Sequence, residues 1–147
     1  MLPSIFISKI ILNNFRSHEN FFIDTNSKNI VLFGKNGVGK TNILESISLL
    51  SPGRGLRNAK NEEIINKKSG TNYSLSADIK LNDSSVKIKK TYVKDNSNKS
   101  NLLIDDEKSK TSELLNFLRV IWVTPVMEKI MLPVSYTHLT LPTNREV

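Results

Sequence analysis

Apolar positions along the 147-residue chain follow two periods. Residues 4–12, SIFISKIIL, and 20–24, NFFID, are rich in β-branched and aromatic types and flank the polar NNFRSHE, which predicts an opening strand pair. Residues 29–33, NIVLF, form a short continuous apolar run of the kind a strand buried on both faces shows. From Thr41 to Leu50 the period changes: Ile43, Leu44, Ile47 and Leu50 recur at helical spacing, and Ser51-Pro52-Gly53 ends the helix. Residues 53–70 are polar and irregular, with a short helix expected around 62–66.

Period two returns in YSLSADIKL, residues 73–81, and VKIKKTYV, residues 86–93, with NDSS between them as a turn, so a hairpin is expected. After the polar loop 95–101, LLID predicts one more short strand. TSELLNFL, residues 111–118, predicts a short helix capped by Thr111 or Ser112. VIWVT, residues 120–124, reads as a last apolar strand ended by Pro125, with Trp122 and Phe33 expected in the core.

Composition narrows what such a chain can do. A hydrophobic fraction of 38% and a charged fraction of 24% are those of a soluble globular domain, and the length suits one. No apolar run is long enough to cross a bilayer, and the N-terminus lacks the basic segment and small-residue site of a signal peptide, so a cytoplasmic location is expected. With no cysteine and only His18 and His138, thiolate chemistry is excluded and a histidine-rich metal cluster is not expected. The net charge of +7 favours a polyanionic partner. A drift toward Lys, Asn and Ile through AT-rich coding would produce the same excess.

The candidate chemistry lies between the apolar run and the helix. Gly34-Lys35-Asn36-Gly37-Val38-Gly39-Lys40-Thr41 has the spacing G-x-x-x-x-G-K-[ST] of a phosphate-binding loop. Glycines let backbone N–H groups converge on phosphate oxygens, and the following helix adds its positive end. Lys40 is expected on the β and γ phosphates, and the Thr41 hydroxyl on Mg²⁺. A chance match in a chain of this length is on the order of 1% or less. The loop therefore predicts a bound nucleoside triphosphate, with Gly34, Lys35, Asn36, Gly37, Val38, Gly39, Lys40, Thr41 and Asn42 around it.

KIILNNFRSHENFFI upstream, GKNGVGKTNILESISLLSPGRGLRNAK at the loop and VIWVTPVMEKIM further on resemble the RecF family of ABC-type ATPases, relatives of the SMC proteins. Asn36-Gly37, Thr41-Asn42, Leu44-Glu45 and Gly53-Arg54-Gly55-Leu56-Arg57 carry the likeness, which covers about residues 5–132. It implies an α/β fold: the N-terminal part of a P-loop ABC-ATPase head, with a mixed sheet carrying the loop and an antiparallel β subdomain. It also implies ATP and Mg²⁺ as cofactors, an ATP-dependent homodimer on single-stranded or gapped duplex DNA, recombination mediator proteins as partners, and a role in recombinational repair and the SOS response. Arg16 matches an arginine that lies near the nucleotide phosphates in this class, against the competing reading of a surface turn.

The family's acidic Walker B motif and signature segment have no counterpart here, and the chain contains no glutamine, so no catalytic base is assigned and hydrolysis by this chain alone is not expected. A head of another SMC-like or overcoming-lysogenization-type ATPase, and an inactive nucleotide-binding fragment, stay open as alternatives. For DNA, the candidates are Arg54, Arg57 and Lys60 after the helix, and Lys87 and Lys89 on one strand face, with solvated surfaces as the competing reading. From about Val134 the Lys and Asn richness largely vanishes, and VSYTHLTLPTNREV resembles a translated sequencing-library adapter. The expected division is 1–133 for the head part and 134–147 for a non-native tail.

Overall fold

The computed structural model describes residues 5–25, 29–68, 70–82, 84–95, 98–125 and 127. The adapter-like stretch from Val134 lies outside the described residues. Six strands form one sheet: β1 (Ile5–Phe15), β2 (His18–Asp24), β3 (Asn72–Leu81), β4 (Ser84–Val93), β5 (Lys99–Ile104) and β6 (Glu107–Lys108). Their order is β2-β1-β3-β4-β5-β6, and every pair is antiparallel. Two helices, α1 (Lys40–Ser48) and α2 (Asn61–Ile64), fall between β2 and β3, and a 3₁₀ turn covers Thr111–Asn116.

One face of the sheet holds the core. Alternation puts Tyr73, Leu75, Ala77 and Ile79 of β3 inward beside Val86, Ile88 and Tyr92 of β4, all buried. In β1 the phase changes. A bulge between Ile7 and Lys9 moves the register from Ile7 opposite Ile79 to Ile10 opposite Ala77, so Ile7, Ile10 and Leu12 reach the same core although their spacing is not strictly two. Leu49 and Leu50, at the end of α1, enter the same cluster. Tyr73 sits between Phe15 and Tyr92, with ring centroids 5.7 and 5.9 Å away.

The opening strand pair and the β3–β4 hairpin form as the pattern predicts, although β1 runs on to Phe15 and leaves only Arg16 and Ser17 to make the turn. Two expected strands are absent. Residues 29–33 are not a strand, with Val31 82% and Phe33 92% exposed. Residues 120–124 are likewise irregular, with Ile121 90% exposed and Trp122 only half-buried. An apolar run becomes an inner strand only where neighbours complete its hydrogen bonds, and no described strand pairs with either segment. Thr111 and Ser112 do not cap an α-helix: the turn there is 3₁₀, preceded by Lys110 and without a side-chain cap bond. Six residues anchored by Leu114 alone are short enough to take the tighter form.

Candidate phosphate-binding site

The loop ends where α1 begins. Gly39 is the residue before the helix, at φ 98°, and a Cβ there would come within 2.5 Å of the His18 ring and 2.7 Å of Ser17 Oγ. Only glycine lets the β1–β2 turn close on the loop this tightly. His18 Nε2–H donates to Gly39 O at 3.2 Å, and Asn42 Nδ2 donates to Ser17 Oγ at 2.8 Å, fixing turn and loop together. Lys40 folds back, its Nζ donating to Gly34 O and Lys35 O, both at 2.7 Å.

Asn36, Gly37, Gly39, Lys40, Thr41, Asn42 and Arg57 line a cavity of about 200 Å³. The backbone N–H groups of Gly37 through Thr41 have no acceptor among the described residues, nor has the Thr41 hydroxyl a partner there. Four of these residues, Gly37, Gly39, Lys40 and Thr41, line the cavity, and donors grouped beside a lysine at a helix start fit a phosphate chain. Of the expected loop residues, Gly34, Lys35 and Val38 stand outside this cavity. The first two accept from Lys40, and Val38 lines an adjoining apolar cavity with His18, Phe21 and Phe33.

Behind the loop lies a group that the sequence pattern did not single out. Glu45 is fully buried, one position from the half-exposed Leu44 that the helical spacing placed on the buried face. Its carboxylate accepts from Arg16 Nε at 2.9 Å and Nη2 at 2.6 Å, a bidentate pair, and from Arg57 Nη1 at 3.1 Å. Arg57 Nη1 also donates to Asn42 Oδ1 at 2.9 Å. Arg16, at φ 54° in the two-residue turn, is held further by Nη1 donating to Glu63 O. One carboxylate between two guanidiniums leaves a net positive charge next to the loop. The sequence named Arg16 for the phosphates, Arg57 for DNA and Glu45 only within the Leu44-Glu45 likeness; that the three meet depends on a fold that joins positions 16, 45 and 57, and of the two arginines only Arg57 lines the phosphate cavity.

The remaining basic candidates separate. Arg57, grouped in the sequence with Arg54 and Lys60, reaches the phosphate cavity, whereas Arg54 and Lys60 line a different pocket. Lys87 and Lys89 sit on the sheet face away from the core, where Lys87 faces Asp106 at 3.7 Å and lies opposite Asp78, so that face is not uniformly positive.

A glycine loop at a helix start, joined to an antiparallel sheet through an arginine-bearing turn, is the arrangement shared with the ATPase heads of the RecF and SMC class. Residues 6–126 match the RecF/RecN/SMC N terminal domain, and the chain belongs to that family. It is 37% identical over 129 residues to the DNA replication and repair protein RecF of Rickettsia akari, covering 88% of this chain and 35% of that protein. With RecF of Rhizobium rhizogenes it shares 36% over 130 residues, covering 87% and 35%. The chain thus spans about a third of the length of these relatives. Among solved structures, the recombination mediator protein RecF with ATP superposes with a TM-score of 0.76 at 25% identity, covering 87% of this chain and 35% of that one. An SMC ATPase structure described by ATP-driven dimerisation and DNA-stimulated activation gives 0.66 at 19% identity, covering 86% and 91%, which shows the shared fold.

Proposed function

We propose that this chain is the nucleotide-binding part of an ATP-dependent DNA replication and repair ATPase of RecF type. The observation that carries the reading is the cavity where the N–H groups of Gly37, Gly39, Lys40 and Thr41 meet the Lys40, Asn42 and Arg57 side chains at the start of α1. ATP fits there through its phosphates. Lys40 exchanges a loop carbonyl for a phosphate oxygen, and Thr41 offers its hydroxyl to Mg²⁺. Glu45 holds Arg16 and Arg57 in place, so that Arg57 presents a fixed charge to the phosphates at little ordering cost. Association with single-stranded or gapped DNA, ATP-dependent pairing of two copies, recombination mediators as partners and a cytoplasmic role in repair and the SOS response belong to the same reading; the relatives' names support the part in DNA replication and repair, and the net charge of +7 supports a polyanionic partner.

The test is equilibrium binding of a fluorescent ATP analogue to the wild type and to Lys40→Ala. Loss of the charged hydrogen bonds should weaken binding roughly 10- to 100-fold. Equal affinity of the two proteins would refute the reading. In Thr41→Val, affinity should stop responding to added Mg²⁺. A second reading, nucleotide binding without turnover by this chain, is favoured by one observation: among the described residues, no carboxylate lines the phosphate cavity to activate water. Phosphate release from ATP by the purified wild-type chain would exclude it.

A further inference from the structure

A second basic pocket lies at the other end of α1. Its volume is about 360 Å³, and its polar lining includes Arg54, Lys60, Asn61, Lys90, Ser100 and Thr111, with no aspartate or glutamate among the described residues that line it. Four segments of the chain meet there: the loop after α1 supplies Arg54 and Lys60, β4 supplies Lys90, β5 supplies Ser100, and the start of the 3₁₀ turn supplies Thr111. The alternation of β4 puts Lys90 on the core side, between Ile88 and Tyr92. A cation in that position ordinarily has a carboxylate partner. Lys90 has none: Nζ donates to Leu49 O at 2.8 Å, and no ion pair among the described residues includes Lys90, Arg54 or Lys60. Burial pushes the Lys90 ammonium below the ordinary lysine range, the mark of a charge without compensation. An ammonium carries three donors, so two remain for a ligand.

We propose that the Arg54, Lys60 and Lys90 pocket is a second phosphate-binding site, separate from the glycine loop, whose fitting ligand is a phosphate group of a nucleic-acid backbone. Three cations and the Asn61, Ser100 and Thr111 side chains supply donors to a tetrahedral oxyanion, and the described lining offers no acid to repel it. An anion there removes the cost of a half-buried, unpaired lysine charge. The nucleic-acid source rests on the DNA association proposed above. The pocket itself does not, because free phosphate has the same chemistry.

Binding of oligothymidylate by the full chain should be measured across a salt series for the wild type, the double variant Arg54→Ala/Lys60→Ala, and Lys90→Met. Binding of the ATP analogue serves as the control. The double variant should lose about tenfold in oligonucleotide affinity, and its log–log salt slope should flatten by about 0.7 per cation removed, with analogue affinity unchanged. Lys90→Met should bind oligonucleotide less well while its unfolding midpoint stays level or rises, a combination that a merely structural lysine does not give. If Lys90→Met does not fold, the exposed double variant decides. An unchanged affinity and slope in the double variant, with wild-type binding intact, would overturn the proposal. If the wild type binds no oligonucleotide, the DNA reading fails, and inorganic phosphate alone decides the pocket. A rise in the Lys90 titration midpoint with phosphate, absent in the double variant, would support it as a free-phosphate site, and no rise would overturn it.

Discussion

Residues 73–79 of β3 and residues 29–33 ahead of the glycine loop are both short runs with large apolar side chains. Leu75 and Ile79 are fully buried, whereas Phe33 is almost fully exposed. In β3 the apolar positions alternate with Ser74, Ser76 and Asp78, and both edges are hydrogen-bonded, to β1 and β4. Ile30 to Phe33 lack both supports among the described residues. Burying a side chain of this size is worth roughly 1.5–3 kcal/mol, but only where a surface is present to receive it. The contrast extends to ionic groups. Glu45, a charge by type, is as deeply buried as Leu75 because two guanidiniums satisfy it.

Leu75→Ala should cost about 2–5 kcal/mol in urea unfolding, since the site is sealed on all sides and collapses poorly. A loss below about 1 kcal/mol would mean that the sheet is not the stable half. Glu45→Ala removes the shared partner of Arg16 and Arg57 and should cost about 3 kcal/mol, at the low end for a broken buried pair because both arginines keep some contact with water. Its affinity for the ATP analogue should fall as well, because Arg57 loses its anchor. Loss of stability with unchanged affinity would separate the ion group from the phosphate cavity.

Tyr73 supplies a smaller, pH-dependent effect. Burial, then the neighbouring Tyr92 and Glu45, pushes its hydroxyl up to about 12, and the O–H donates to Asn61 Oδ1 at 2.9 Å. Because the folded value is raised, the contribution is complete below pH 10, the ordinary tyrosine value, and is lost as pH rises from 10 to 12. Its size is on the order of 2 kcal/mol. Tyr73→Phe should flatten the stability curve over that window, measured as the urea midpoint against pH. The smallest effect is expected in the exposed runs. Phe33→Ser with Ile121→Ser should change stability by less than about 0.5 kcal/mol each, yet lower dye binding to apolar surface and self-association in light scattering. A large stability loss would show that these runs are packed after all.

The sequence alone determined the features whose physics is local. The glycine loop could be read because its φ values and donor array are properties of eight consecutive residues. The β3–β4 hairpin was equally legible, since alternation over both strands leaves one face to bury. Only tertiary structure decided which apolar runs find neighbours, so residues 29–33 and 120–124 read as strands and are not. It also decided that Glu45 is buried, since its partners lie 29 residues before and 12 after it. The three cations that followed α1 in the sequence were parted in the same way, Arg57 to the phosphate cavity and Arg54 with Lys60 to the pocket of Lys90. Charge in a sequence has no direction. The partner a charge meets is set by where the chain folds back, and Coulomb attraction falls off with distance in space rather than along the chain.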